Sequence, residues 1–330
     1  MKKCYEYRVA VTEEHVMEKV CVVIVTYNRK KYLIKLLEAL KSQIKKPEKV
    51  LIFDNKSTDG TDEYLKEFGI IDELGNAINR KDIDGITFIY YKNDENGGGA
   101  GGFHGGIKLA LEEDCEYIWM MDDDVLPEQN CLELLLKQLN DDVRVCVPCR
   151  TDSQYTDYAI IDLDMTNPFK YSIKKRKKMI NSSDIEGEII YVKDMPFEGP
   201  IFATSLIKQI GVPNKDLFII FDDTEYAYRA SSKTNIAYVK NAILHKQIVP
   251  TTNSNLGWKE YYSFRNLFWF DKTYGKNVFV KYMRPVLNYC ELLLRSLIKR
   301  RMCDMKVVNR AWADAWNNSM GKTVIPGQKF

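Results

Sequence analysis

The sequence predicts an α/β protein: a mostly parallel, twisted sheet flanked by helices, followed by a helical C-terminal region. Three observations carry that expectation. Short apolar runs alternate with segments of helical periodicity from residue 20 onward. Clusters of polar and acidic residues fall just after three of the apolar runs. After Trp258 the chain turns aromatic and basic, with apolar residues at helical spacing.

Val20, Cys21, Val22, Val23, Ile24 and Val25 form a continuous run that suits a strand covered on both faces. Leu33, Leu36, Leu37 and Leu40 then repeat at helical spacing, placing a helix over 32–40. A strand is expected at 50–53, a helix at 61–68 and a strand at 86–91. A helix is expected to leave a glycine cluster at Gly102 and run to 111. Strand 117–121, helix 128–139 and an extended segment over 143–147 follow. Residues 150–191 read as a solvated loop carrying a basic run from Lys174 to Lys178, the alternative being contact with a phosphorylated acceptor or a membrane surface. A helix over 223–230 and a strand over 236–244 complete the regular part. Strands alternating with crossover helices make a Rossmann-like parallel sheet, whose ligands bind beyond the carboxyl ends of the strands.

The composition fits a globular enzyme: 330 residues, 45% hydrophobic and 28% charged, enough for a large core. A net charge of +2 argues against a nucleic-acid partner, which needs a surplus of Lys and Arg. Residues 1–20 are interrupted by Lys, Glu and Arg, so no secretory leader is expected there, and no apolar run is long enough to span a bilayer. With eight cysteines and no paired CxxC motifs, Cys146 and Cys149 read as buried thiols in a reducing cytoplasm. Between Lys272 and Arg310 ten basic residues face two acids, Glu291 and Asp304. Val286, Cys290, Leu293 and Leu297 share one face there, which suits an anionic membrane surface, the main domain or a second subunit. The expected organisation is an N-terminal extension over 1–19, a catalytic domain over 20–250 and a helical, basic region over 251–330.

Three polar clusters fall at one sheet edge: Thr26, Tyr27, Asn28 and Arg29; Asp54 through Gly60; and Asp122, Asp123 and Asp124. Three carboxylates after a buried strand are costly unless a cation neutralises them. Alternation in an extended chain points Asp122 and Asp124 one way and Asp123 the other. The glycine segment from Asn96 to Phe103 precedes a helix, where backbone N–H groups and the helix dipole suit a diphosphate. It lacks the Gly-Lys-Ser/Thr of a P-loop. Asp222, Asp223 and Glu225 form a second acidic cluster that offers a general base. His245 follows a strand, and read alone it is ambiguous between a structural residue and a third metal ligand.

Taken together these residues resemble the family 2 glycosyltransferases of GT-A fold, over about residues 20 to 245. The resemblance rests on Val23 through Arg29, Asp54 through Thr61 and Met121 through Val125. The segments Asn96–Phe103, Trp119–Asp124 and Phe221–Tyr226 are similar to bacterial galactofuranosyltransferases of cell-wall and surface-polysaccharide synthesis. Related rhamnosyltransferases share much of the pattern, including Tyr261 through Asn266. The resemblance implies an inverting, metal-dependent transfer from UDP-galactofuranose to a glycan or lipid-linked acceptor. Within it, 20–125 would be the donor half and 126–250 the acceptor half. Thr26, Tyr27, Arg29 and Asp54 would surround the nucleoside, and Asn96, Gly98 and Gly101 would shape the donor pocket. Asp122 and Asp123 would also address the donor. Asp122, Asp124 and His245 would hold Mn2+ or Mg2+. Asp223, with Asp222 as runner-up, would be the base, and Glu198, Gly199 and Glu225 would face the acceptor.

Only about 19 residues precede the first strand, so addition of one or a few sugars is expected rather than processive extension. The rival readings are a dTDP-rhamnose-dependent transferase, a sugar-phosphate nucleotidyltransferase and a non-catalytic sugar-binding module. The expected location is the cytoplasm, with peripheral association at the inner face of the membrane and homo-oligomerisation both left open.

Overall fold

The computed structural model describes residues 18–75, 78–151, 155–248 and 256–330. The expected N-terminal extension lies almost wholly outside the described residues. The first half runs β1 (Val20–Thr26), α1 (Lys30–Lys41), β2 (Lys49–Asp54), α2 (Thr61–Glu67), β3 (Ile78–Ile83), β4 (Ile86–Lys92), α3 (Gly98–Ala110), β5 (Tyr117–Asp122), β6 (Val125–Pro127), α4 (Cys131–Leu136) and β7 (Val143–Cys149). A hairpin of β8 (Tyr158–Leu163) and β9 (Lys177–Asn181) follows, with the short α5 (Ile173–Arg176) between its strands. Then come β10 (Ile189–Val192), β11 (Ile201–Ala203), α6 (Thr204–Ile210), α7 (Asp222–Ser231) and β12 (Asn235–Lys246). Three long helices end the chain: α8 (Trp258–Tyr274), α9 (Arg284–Ile298) and α10 (Met302–Trp316).

The sheet order is β10-β12-β7-β11-β5-β1-β2-β4-β3, with β6 paired to β12 off this path. β1 is parallel to β2 and β5, β2 to β4, and β7 to β12. Every residue of β1 is buried, as its β-branched run requires of a central strand covered on both faces. One apolar cluster packs α1 and α4 on one face of the sheet, and a second packs α3, α6 and α7 on the other. The register aligns the functional clusters. Thr26 pairs with Asp54 across β1 and β2, and Val25 pairs with Asp122 across β1 and β5. The polar segments therefore emerge from one edge.

Several expectations are corrected. α3 begins at Gly98 rather than Gly102. A Cβ at Gly102, Gly105 or Gly106 would come within 2.4, 2.6 and 2.7 Å of Val25, Phe53 and Val23, so these glycines let α3 lie directly on the sheet. The helix expected over 128–139 is shorter: β6 ends at Pro127, opposite Leu244, and α4 runs only from Cys131 to Leu136. Residues 150–191 are not a plain solvated loop. They contain the β8–β9 hairpin, and Arg176 of the basic run is fully buried against Asp271 at 2.6 Å. Asp271 also meets Arg284 at 3.4 Å, so this buried cluster fastens the hairpin to α8 and α9. Cys146 and Cys149 are free thiols whose side chains join opposite apolar clusters, as positions three apart on a strand must.

Candidate active site

Each loop at the edge is held by short polar contacts that the sequence supplies locally. Asp54 is fully buried and accepts from the Ser57 backbone N–H at 2.7 Å and from the Tyr90 hydroxyl at 2.7 Å. Its carboxylate is thus committed to the turn after β2, and it is Asn55 that lines the cleft. Asn28, in the left-handed region, accepts from the Thr58 N–H at 2.7 Å and donates its own N–H to the Ser57 hydroxyl at 2.9 Å. The loops after β1 and β2 form one unit.

The aspartate cluster divides differently from the expected alternation, because β5 ends at Asp122 and the chain turns through Asp123 and Asp124. Asp123 is buried. It accepts from the Thr26 hydroxyl at 2.7 Å and from Arg29 Nη1 at 3.2 Å. Asp124 takes the same Arg29 nitrogen at 2.6 Å. Asp122 lines the cleft. Burial, then the charges of Asp124 and Glu198, push its carboxyl well above the usual carboxylate range. Burial likewise raises Asp124 against the pull of Arg29. Two crowded, partly desolvated carboxyls of this kind suit a divalent cation that also takes phosphate oxygens.

His245 does not join them. Along β12 neighbouring side chains point to opposite sides. Lys246 reaches Glu198 at 2.6 Å, while His245 Nε2 lies 2.9 Å from Glu128 Oε1, in a separate surface cleft. Among the described residues no group of three His, Cys, Asp or Glu side chains is arranged to hold a metal.

A cleft of about 420 Å³ runs over the edge, lined by Thr26, Tyr27, Arg29, Asn96, Gly98 and Asp122, among others. Gly98 has φ +72°, and a Cβ there would lie 2.1 Å from the Phe218 carbonyl oxygen, so the start of α3 admits only glycine. Gly101 faces away, into a neighbouring cavity of about 620 Å³ that it shares with Asn96; neither Asp122 nor Asp223 lines that cavity.

Asp122 is also a wall of a second pocket, of about 200 Å³, with Gly99, Glu198, Asp222 and Asp223. Asp122 and the later acidic pair therefore face one space. Phe218, Ile220 and Phe221, all non-glycine, take positive φ in the loop that delivers the pair to the first turn of α7. Such strain is retained when the surroundings over-determine it. Here Asn266 does so: its buried side-chain amide donates to the carbonyls of Leu217, Ile219 and Ile220 at 3.0, 2.9 and 2.7 Å. Arg265 adds a 3.0 Å bond to Leu217.

Burial and then the neighbouring Asp223 push the Asp222 carboxyl up to about 8. Burial and then Asp194 raise Asp223 to about 6, with Lys177 opposing. Burial and repulsion between carboxylates hold both carboxyls of this pair above the usual carboxylate range. Asp223 also opens onto a further polar cavity of about 130 Å³ with Lys177, Asp194 and Arg150.

The acceptor-side expectations separate. Glu198 lines the acidic pocket, held by Arg150 at 2.6 Å and Lys246. Gly199 shapes the backbone instead: φ is +89°, and a Cβ would lie 2.6 Å from Leu244 and 2.7 Å from Pro148. Glu225 is buried away from the pocket, accepting from Arg229 at 2.9 Å and from the Tyr274 hydroxyl.

Residues 21–198, more than half of the chain, match the profile named Glycosyl transferase family 2. The chain belongs to this family. It is 25% identical over 221 residues to galactofuranosyltransferase GlfT1 of Mycolicibacterium smegmatis, a match covering 63% of the chain and 64% of that protein. It is 25% identical over 218 residues to GlfT1 of Mycobacterium tuberculosis, covering 63% of each. The chain thus spans less than two thirds of these relatives' length. Two solved structures share its fold. One is the mannosyltransferase PcManGT from Pyrobaculum calidifontis in complex with GDP-Man and Mn2+ (TM-score 0.51, 15% identity, 93% of this chain and 76% of that one). The other is S. aureus TarS 1-349 in complex with UDP-GlcNAc (TM-score 0.51, 15% identity, 90% of this chain and 80% of that one). The fold is GT-A.

Some lining residues of the cleft lie outside the motifs of the sequence. Phe218, Ile219, Trp258, Lys259 and Pro326 also wall it. The signal for two of them was present: Trp258 and Lys259 stand just ahead of the Tyr261–Asn266 segment at the start of α8.

Proposed function

We propose that this glycosyltransferase moves galactofuranose from UDP-galactofuranose to a hydroxyl of a glycan or lipid-linked acceptor, by inverting displacement, in surface-polysaccharide synthesis. The observation that carries the reading is Asp122, which walls both the 420 Å³ cleft and the pocket of Asp222 and Asp223. A donor lying in the cleft presents its sugar to the acidic pair. The similarity to two galactofuranosyltransferases supports the choice of sugar.

In this scheme residues 20–125 supply most of the donor site, Phe218, Ile219, Trp258, Lys259 and Pro326 complete its wall, and the acceptor side lies within 126–250. Thr26, Tyr27, Arg29, Asn96 and Gly98 bound the donor, and Asp123 fixes Thr26 and Arg29. Asp122 and Asp124 would hold Mn2+ or Mg2+, which when bound supplies charge neutralisation at a diphosphate leaving group. The metal named with PcManGT supports that assignment. Asp223, in its ionised form, takes the acceptor hydroxyl proton as the oxygen attacks the anomeric carbon, and UDP leaves. Asp222, its carboxyl raised by burial and by Asp223, lies beside it. Glu198 borders the acceptor side.

The test is a donor panel, with UDP-galactofuranose and dTDP-rhamnose compared for hydrolysis and transfer. Turnover of the UDP-sugar with release of UDP supports the proposal. Preference for dTDP-rhamnose would replace the sugar, and release of pyrophosphate would replace the reaction class.

A further inference from the structure

α9 buries a mixed face and leaves an apolar one uncovered. Arg284, Pro285, Asn288 and Ser296 are buried, and Tyr289 and Leu292 pack against the apolar cluster of α8 and α10. Arg284 donates to the carbonyls of Asp164 and Asn167 and pairs with Asp271, which fastens the start of the helix down. The apolar stripe faces outward. Phe279 is 59% exposed in the turn before the helix, Leu294 57% and Ile298 73%, and Tyr282, Val286 and Leu297 continue the same surface. An amphipathic helix in a soluble protein normally turns its apolar stripe to the core, and a contiguous apolar patch of this kind marks an interaction surface.

The borders of the patch say what covers it. Arg295, Lys299, Arg300 and Arg301 rim its C-terminal end, and the nearby acids are already engaged: Glu291 pairs with Arg295, and Asp304 lies 3.8 Å from Arg301. Tyr282 and Trp316, edge to face with ring centroids 6.3 Å apart, stand beside it. Apolar side chains flanked by cations and by amphipathic aromatic rings match the boundary of an anionic bilayer. A two-fold contact between copies would bring two cationic rims into one interface, which disfavours it. Among the described residues no helix is long and apolar enough to cross a membrane, so the contact lies in the interface plane.

We infer that this face docks the enzyme on an anionic lipid surface, with α9 parallel to it and its apolar side chains among the headgroups. The inference concerns where the enzyme works and does not depend on which sugar it transfers.

The test is co-sedimentation of the full chain with vesicles of phosphatidylcholine alone or with added phosphatidylglycerol, in low and high salt. The exposed pair Leu294→Asp/Leu297→Asp is compared, with donor hydrolysis and thermal midpoint as checks of its fold. Binding to the anionic vesicles should be at least about tenfold tighter than to the neutral ones, weaken in high salt, and fall about tenfold or more in the variant. Hydrolysis should not change. A wild-type chain that stays in the supernatant with anionic vesicles overturns the inference, as does a variant that binds like wild type. A concentration-dependent dimer abolished by the same variant, without vesicle binding, makes the face a subunit contact and overturns it too.

Discussion

Arg29 Nη1 lies 2.6 Å from Asp124 Oδ2, and the same nitrogen reaches Asp123 at 3.2 Å, so one guanidinium from the β1 loop bridges two carboxylates of the β5 turn. The charge balance of the donor edge depends on this bridge, because burial raises both carboxyls in spite of it. Asp124→Ala should therefore weaken UDP binding in the presence of Mn2+ by about tenfold or more, the loss of one charged ligand contact. Stripping the wild type with EDTA should produce a loss of the same kind. Titration calorimetry measures both, and unchanged affinity in the variant would remove Asp124 from the donor site.

Gly102→Ala tests the close approach of α3 to the sheet. The added methyl would sit 2.4 Å from Val25 Cγ1, and overpacking of this type costs about 1–3 kcal/mol. Adding Val25→Ala should restore part of the loss, and the thermal midpoints of the two single variants and the double variant give the coupling. Additive losses would show that the two residues do not compete for the same space.

Asn266→Ala should lower kcat more than it weakens donor binding. The amide holds three carbonyls of the strained loop ahead of Asp222, and a buried group left without its partner costs roughly 1–3 kcal/mol. Steady-state kinetics beside calorimetric donor affinity separates positioning from simple unfolding. A proportional loss of both would contradict the positioning role.

Transfer should fall as pH drops through about 6. The Asp223 carboxyl is raised by burial and by Asp194, and a general base works only when ionised, so activity is present above this value and lost below it. A pH profile of kcat/KM with saturating metal checks the sign. A rate that stays level down to the ordinary carboxylate range would mean that Asp223 is not the base.

Much of the fold was legible because a parallel sheet buried on both faces leaves long apolar runs, and β1 is wholly buried. The edge clusters followed from the same logic, since strand ends in such sheets are where polar side chains collect. What the sequence could not convey was direction. Strand alternation was carried on to Asp124, but the chain turns after Asp122. His245 looked available as a ligand, yet the pleat of β12 sends Lys246 inward and His245 toward Glu128. Glu225 sits among acids in sequence, but one helical turn takes it to Arg229 and Tyr274. The glycine segment served two purposes that composition does not separate: Gly98 frames the cleft, whereas Gly102 seats the helix on Val25. Arg176, read as part of a solvated run, is buried because Asp271 lies nearly one hundred positions away in sequence, beyond any local pattern.

Asp223→Asn tests the central claim most directly, since it replaces the carboxylate by a near-isosteric amide that takes up no proton. General bases contribute on the order of 10²- to 10⁴-fold. Transfer from UDP-galactofuranose should fall by that amount, with UDP affinity in the presence of Mn2+ within about twofold of wild type. Wild-type turnover in the variant would contradict the account.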